Sequence, residues 1–324
     1  MVLERIWDYK IIKLIEHMRK IILISICLYS SFFGYSQQQA MYTQYMFNGL
    51  AVNPAYSSMD EQLSITALSR LQWVGFKGAP RTQTLSIHTP IKTSNTFVGA
   101  LLINDQIGEV LKETGGYFSV SQRVAVGQES FLSVGITGGA SSFRSTYSEN
   151  YPYSPESVND PVFADENSIR GNFGFGVMLF SKNYYLGFSS PYFYQRDFSS
   201  YNKESASAKN KPYYLFQAGV LLPLGDDFKV KPNFLIKYVN GSPVQFDLNA
   251  NLLIKETIWV GASYRSADSF DAIASVYITP QIQLGYSYDF SNTELAKRQS
   301  GSHEIMLKFS FSIKGRDPND TCYF

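Results

Sequence analysis

The stretch FKVKPNFLIKYV, residues 228–239, alternates apolar and polar side chains, and VQFDLNANLLIK, residues 244–255, repeats the pattern. Successive side chains of a β-strand point to opposite faces of its sheet, so each stretch predicts a strand with one apolar and one polar face. A length of about 10 residues suits a tilted strand that crosses a membrane. A soluble sheet can alternate in the same way, with its polar face toward water, so the rest of the chain has to decide between the two.

The same alternation recurs along the chain and predicts about 14 strands, a number typical of membrane barrels. Their expected positions are 62–74, 82–90, 96–104, 115–126, 129–143, 171–181, 184–191, 212–223, 228–239, 244–255, 257–266, 271–279, 281–290 and 303–314. Tight links such as 127–128 and 182–183 fall at one end of the strands, and two long links, 144–170 and 192–211, fall at the other end. Outer-membrane barrels combine short periplasmic turns with longer external loops in this way. We therefore predict an all-β fold, a transmembrane antiparallel β-barrel whose even strand count places both termini in the periplasm.

Composition agrees with one large β-domain in a membrane. No charge block or low-complexity linker divides the 324 residues. Aromatic residues make up 15% of the chain, yet its mean hydropathy is only −0.13, as expected where lipid-facing residues alternate with polar residues that face the lumen. The formal net charge of +1 gives no reason to expect a nucleic-acid partner, which normally requires a strongly basic patch.

The amino-terminal residues have the anatomy of an export signal. Met18 precedes two basic residues, an apolar run over 21–33 and a small-residue exit at 34–36. We take Met18 as the true start, the alternative being an unusually long charged region ahead of the apolar run. We divide the chain into an export signal at 1–36, a periplasmic amino-terminal segment at 37–61 that lies at or enters the barrel mouth, the barrel at 62–314 and a carboxy-terminal tail at 315–324.

Residues that could support catalysis or metal binding are few. After the export signal the chain has His88, His303 and Cys322 as its only histidines and cysteine, and it contains neither GxSxG nor HExxH. The glycines of Gly135–Gly139 lie within a predicted strand and do not introduce a helix, which favours barrel bending over phosphate binding. We therefore predict a protein that is not an enzyme and has no cofactor or metal.

Two stretches carry a resemblance to a known family. They are QYMFNGLAVNPAY, residues 44–56, and RLQWVGFKGAPRT, residues 70–82, which follows the pattern R-x-Q-W-x-G-F-x-G-A-P-x-T. HTP at 88–90 and SHEI at 302–305 extend the similarity to both ends of the mature chain. In these stretches the sequence resembles the PorP/SprF family, outer-membrane proteins associated with the type IX secretion system of the Bacteroidota.

The resemblance implies a non-enzymatic secretion component that supports export or surface anchoring of large adhesin-like proteins, with a link to gliding motility. It implies three kinds of partner: outer-membrane lipid, the secretion machinery with periplasmic peptidoglycan-binding components, and a large secreted protein with a carboxy-terminal sorting domain. The alternative is a transport barrel for small or hydrophobic solutes. Its selectivity would be set by lumen-facing charges, namely Lys229, Lys231, Lys237, Lys255 and Asp247.

Candidate partner-binding residues lie in the two family stretches and in the first long loop. They are Tyr45, Phe47, Asn53, Pro54, Arg70, Trp73, Phe76, Tyr147, Tyr151 and Tyr153. Aromatic and polar residues mixed in this way are common at binding surfaces. Each group has a structural alternative: an ordered lead-in to the first strand, an Arg70 paired with a lumen carboxylate, and a loop that folds over the barrel mouth.

Overall fold

The computed structural model describes residues 41–92, 94–147, 165–197 and 212–313. These residues contain fourteen strands, numbered here in chain order. They are β1 (Gln62–Leu71), β2 (Arg81–Pro90), β3 (Thr96–Ile107), β4 (Leu111–Ala125), β5 (Phe131–Ser145), β6 (Glu166–Phe180), β7 (Tyr184–Asp197), β8 (Tyr213–Val220, resumed at Leu222–Pro223), β9 (Phe228–Val239), β10 (Gln245–Ile254), β11 (Ile258–Arg265), β12 (Ser269–Thr279), β13 (Ile282–Ser291) and β14 (Ser302–Ser312). Short 3₁₀ turns accompany them at Tyr45–Phe47, Gly49–Ala51, Pro54–Ser58 and Glu294–Arg298.

The strands form a closed barrel. Each strand pairs antiparallel with the next one in the chain, and β14 pairs back onto β1, where Arg70 lies opposite Glu304. Closure leaves no strand edge unpaired, which a sheet in lipid requires because no water is there to satisfy its backbone. The predicted fold, an antiparallel barrel of fourteen strands, is confirmed.

The barrel has apolar side chains on its outer face and polar side chains on its inner face, which is the reverse of the arrangement in a soluble protein. Large apolar side chains point outward, with Phe118 74% exposed and Phe270 56% exposed. Serines such as Ser133 and Ser287 point inward and are fully buried. This distribution is that of a barrel whose outer surface meets lipid. None of the helical turns in the described ranges has the length and apolar character that a membrane-crossing helix needs.

Strand β9 shows the alternation in detail. Lys231 and Lys237 are buried on the inner face, whereas Phe228 and Tyr238 are exposed on the outer face. Lys255, which the sequence assigned to the lumen, instead occupies the turn after β10, where it is exposed and has a φ of 48°. It was misassigned because the alternation of β10 stops one residue earlier, at Ile254.

Strands on both sides of the long links run farther than the sequence predicts. Strand β6 begins at Glu166 rather than at 171, and β7 continues to Asp197 rather than ending at 191. The β6–β7 pairing shifts register between Phe173 and Phe175, and Pro191 lies beside this bulge. Proline ends a regular strand pattern in sequence, whereas a bulge in the structure accommodates it.

The connections separate the two ends of the barrel. One end, the short-turn mouth, has the connections 91–95, 126–130, 181–183, 224–227, 255–257 and 280–281. The other, the long-loop mouth, has 72–80, 108–110, 146–165, 198–212, 240–244, 266–268 and 292–301. Strand β1 begins and β14 ends at the short-turn mouth, since Gln62 pairs with Ser312.

Residues 41–60, called here the lumen segment, lie inside the barrel. Every residue from Tyr42 to Asp60 is buried. The segment consists mainly of three consecutive 3₁₀ turns, and its apolar side chains form one cluster with residues of the barrel wall. A polar lumen is therefore filled by the chain's own amino-terminal residues over this described part.

Candidate functional site

The lumen segment is held at the long-loop mouth by hydrogen bonds to two carboxylates. The backbone N–H groups of Thr43 and Gln44 donate to the Glu304 carboxylate, over 3.0 and 2.7 Å respectively. The Thr43 hydroxyl donates to Asp289 over 2.9 Å. Buried backbone N–H groups need such partners because leaving them unpaired costs about as much as a lost hydrogen bond, so Glu304 fixes the backbone at this point.

Arg70 completes this arrangement. Its guanidinium lies 2.6 Å from the Asp289 carboxylate and 3.2 Å from that of Glu304, and it donates to the Thr43 hydroxyl over 2.9 Å. Arg70 and Glu304 are register partners across the β1–β14 pairing. Hydrogen bonds between a guanidinium and a carboxylate are charge-assisted and roughly twice as strong as neutral ones. This matches the structural alternative for Arg70, an arginine paired with a lumen carboxylate.

A second buried arginine and two further buried carboxylates also lie at this mouth, namely Arg265, Asp247 and Asp271. Arg265 contacts Asp247 over 3.0 Å and donates to the carbonyl oxygen of Tyr42 over 3.4 Å. Asp271 lies opposite Asp289 in the β12–β13 register and is only 3% exposed. Within the described residues neither carboxylate oxygen of Asp271 has a hydrogen-bond partner. A buried carboxylate beside another carboxylate is costly, and attraction to Arg265 offsets part of that cost.

The middle of the segment is fixed by two aromatic side chains. The Tyr45 hydroxyl donates to Asn233 over 2.8 Å and accepts from Asn249 over 3.1 Å. The Phe47 ring lies 6.1 Å from the ring of Trp259, centroid to centroid. The Lys231 ammonium lies 5.0 Å from the Phe47 ring and 4.8 Å from the Trp259 ring. Two aromatic faces favour a cation that is buried in this way.

Asn53 and Pro54 lie against two wall glycines. A Cβ atom on Gly176 would stand 1.9 Å from Asn53 Oδ1, and one on Gly135 would stand 2.5 Å from the backbone nitrogen of Ala55. Asn53 Oδ1 caps the last 3₁₀ turn by accepting from Ala55 over 2.9 Å. These glycines are required for the close approach of the segment to the wall.

At the short-turn mouth the segment ends in two charged contacts. Asp60 accepts from Ser64 over 2.9 Å and lies 3.2 Å from Nε2 of His88. Glu61, the next residue, forms an ion pair with Arg123. His88 therefore contacts the lumen segment from within β2.

The second family stretch forms a braced loop at the long-loop mouth, the rim loop, residues 72–80. Val74 exchanges backbone hydrogen bonds with the 300–301 connection, over 2.8 and 2.7 Å. Gly78 accepts from Gly108 over 3.0 Å. Trp73 has a φ of 46°, an outlier for a bulky residue, and Phe76 is 43% exposed. The loop therefore presents an exposed aromatic residue on a hydrogen-bonded support.

The structure thus separates the sequence-predicted site residues into two groups. Those inside the barrel are Tyr45, Phe47, Asn53, Pro54 and Arg70, all buried. Those at the long-loop mouth are Trp73, Phe76 and the half-buried Tyr147, whereas Tyr151 and Tyr153 lie outside the described residues. Sequence reasoning missed the wall residues Asp289, Glu304, Trp259, Gly135 and Gly176, although the lumen-facing glycines of β5 and β6 were a visible signal.

Solved structures of similar shape are outer-membrane proteins. The CymD monoaromatic hydrocarbon channel is 12% identical, with a TM-score of 0.50 over 86% of this chain and 95% of its own. A Pseudomonas aeruginosa FadL homologue is 12% identical, with a TM-score of 0.45 over 83% and 93%. Omp33 of Acinetobacter baumannii is 10% identical, with a TM-score of 0.42 over 79% and 100%. At such identities these similarities concern the fold alone.

A family comparison is more specific. No curated protein matches the chain. The family model described as type IX secretion system membrane protein PorP/SprF matches residues 34–309, a range that includes the lumen segment, the rim loop and all strands up to β14. The fold and the family together place the protein in the outer membrane as a component of this secretion system. The chain belongs to the PorP/SprF family of type IX secretion system membrane proteins.

Proposed function

We propose that this protein is a non-enzymatic component of the type IX secretion system that supports export or surface anchoring of a large secreted adhesin-like protein. The assignment to this secretion system is supported by the family to which the chain belongs. The proposed partners are a client with a carboxy-terminal sorting domain on the outside, and the machinery with its peptidoglycan-binding components on the periplasmic side. The proposed setting is a gliding member of the Bacteroidota.

The observation that carries this proposal is the filled lumen. The segment from Tyr42 to Asp60 is buried inside the barrel and bonded to the wall near both mouths. Lys231 and Lys237, which would line a transport path, are themselves buried. A barrel filled by its own chain is suited to serve as a platform, whereas transport of solutes would require the segment to move.

The long-loop mouth is the proposed surface for the client. The rim loop holds Phe76 exposed while its backbone is braced by two neighbouring connections. Aromatic residues on a rigid support bind partners at low entropic cost. The expected client contact is therefore made by Trp73 and Phe76, together with Tyr147 and the adjoining loop.

Gene deletion followed by quantitative proteomics of the cell surface and medium tests this function. We expect loss of one large client, which a wild-type copy restores. A Phe76→Ser copy should restore less client than wild type. The matched control is Leu224→Ser, which alters an exposed apolar residue at the opposite mouth, 57% exposed, and should restore the client fully. An unchanged surface and medium after deletion would overturn the proposal.

Conductance in planar bilayers distinguishes the platform from the transport barrel. We expect purified wild-type protein to be silent, because the lumen segment occupies the barrel. Deletion of residues 41–58 should produce open, ion-conducting barrels if the remaining strands still close. Steady ion-selective conductance by the wild-type protein would favour transport instead.

A further inference from the structure

The lumen segment runs through the barrel in one direction. Its first residues contact the wall at the long-loop mouth, where Thr43 bonds to Asp289 near the end of β13 and to Glu304 near the start of β14. Its last residue, Asp60, contacts His88 near the end of β2, at the short-turn mouth. The segment therefore has one end at each mouth.

Intermediate contacts follow the same order. Asn48 donates to Thr84, in the first half of β2 counted from the long-loop mouth. Farther along, the Ser57 hydroxyl lies 2.8 Å from that of Ser121, close to the end of β4 at the short-turn mouth. The hydrogen bonds of the segment thus run from one mouth to the other, while the Phe47 side chain reaches toward the short-turn mouth to contact Trp259.

We propose that the lumen segment has its amino-terminal end, Met41, at the external mouth of the barrel, on the same side of the outer membrane as the long loops. Long loops of outer-membrane barrels are external and short turns periplasmic. The start of β1 and the end of β14 lie at the short-turn mouth, so the thickness of the membrane separates Met41 from them. This differs from the expectation of a periplasmic segment at 37–61.

Polar contacts near both ends favour this direction over the reverse one. Glu304 accepts two backbone N–H groups of the segment, and Arg265 donates to the Tyr42 carbonyl oxygen over 3.4 Å. The covalent link to Gln62 keeps Asp60 at the other mouth, beside Ser64 and His88. If Thr43 and Gln44 left this mouth, Glu304 would lose two buried N–H donors, which is costly. The topology is independent of the secretion role proposed above.

Epitope tags on the full-length protein in intact cells test the topology. One tag is inserted between Gln39 and Ala40, a second in the long connection 146–165, and a third in the short turn 181–183. We expect antibody to reach the first two tags on intact cells and the third only after the outer membrane is permeabilised. An amino-terminal tag that becomes accessible only together with the short-turn tag would overturn the proposal.

Single cysteines provide a second test that disturbs the barrel less. In a Cys322→Ser background, Met41→Cys, Lys77→Cys in the rim loop and Asp226→Cys in a short turn are treated with a membrane-impermeant maleimide. Met41 is partly exposed, so we expect it to react on intact cells at least tenfold more than Asp226→Cys, as Lys77→Cys does. Labelling of Met41→Cys that matches Asp226→Cys on intact cells and rises only on permeabilisation would show the opposite topology.

Discussion

Gly135 of β5 and Gly176 of β6 are register partners, and both face the lumen segment: Gly135 lies against the Pro54–Ala55 peptide, and Gly176 lies against the side chains of Asn53 and Pro54. Side chains at these two positions would occupy the space of the lumen segment. Glycine therefore allows the backbone of the segment to approach the backbone of the wall. The position of the segment is thus set by missing side chains in the wall as well as by hydrogen bonds.

Filling this space should displace the segment. We expect Gly135→Val and Gly176→Val each to lower the free energy of unfolding in lipid vesicles by about 1–3 kcal/mol, as overpacking does, and to produce ion conductance. The matched control is Gly138→Val, because a Cβ there would come no closer than 3.9 Å to a neighbouring atom, Asn172 O. Equal stability loss from all three changes, without conductance, would mean that the segment does not depend on the two glycines.

The same chemical change at two facing carboxylates should have opposite effects. Asp289→Asn weakens the pair with Arg70 and should lower the free energy of unfolding by about 3 kcal/mol. Asp271→Asn removes a buried charge that accepts no hydrogen bond in the described structure and should raise it by about 1 kcal/mol. Urea unfolding at neutral pH measures both. A stability loss for Asp271→Asn would indicate that this carboxylate has a stabilising partner.

The Phe47 ring should be a principal contact between the segment and the wall. Phe47→Ala should cost about 3–5 kcal/mol, because it removes the packing against Trp259 and one of the two rings beside Lys231. Phe47→Leu keeps apolar volume and should cost less. Urea unfolding and trypsin susceptibility of the folded barrel measure the difference, and equal values for the two variants would contradict this role of the ring.

Asn53 should act both as a cap and as a contact with the wall. Asn53→Ala removes the cap on Ala55 and the donations to the carbonyls of Val177 and Phe188, with an expected cost of about 2 kcal/mol. Asn53→Ser retains a capping oxygen but not the wall contacts, so its cost should be intermediate. If unfolding measurements gave the two variants the same stability, the cap would contribute nothing.

Sequence reasoning identified the barrel because strand alternation is local. Lys231 and Lys237 of β9 point inward and Phe228 and Tyr238 outward, as their spacing predicts. The strand ends beside Pro191 were missed because a proline resembles a strand terminus in sequence, and only the pairing reveals a bulge.

The contents of the lumen were beyond local patterns. Asn53-Pro54 appears as turn chemistry in sequence, and Gly176 as one glycine among many. Their contact joins residues far apart in the chain through the closed barrel. The same holds for Thr43 and Glu304, whose hydrogen bond spans 261 positions. The spacing of residues within either stretch does not predict such a partner.

The β1–β14 pairing is the one ladder in the described barrel between strands that do not follow each other in the chain. Loop-closure entropy makes such a pairing the slowest to form. Glu304 of β14 receives hydrogen bonds from the segment that leads into β1, and it pairs with Arg70 of β1 itself. The ladder that closes the barrel and the segment that fills the lumen thus share one carboxylate, so that closure of the sheet and placement of its contents are coupled through Glu304.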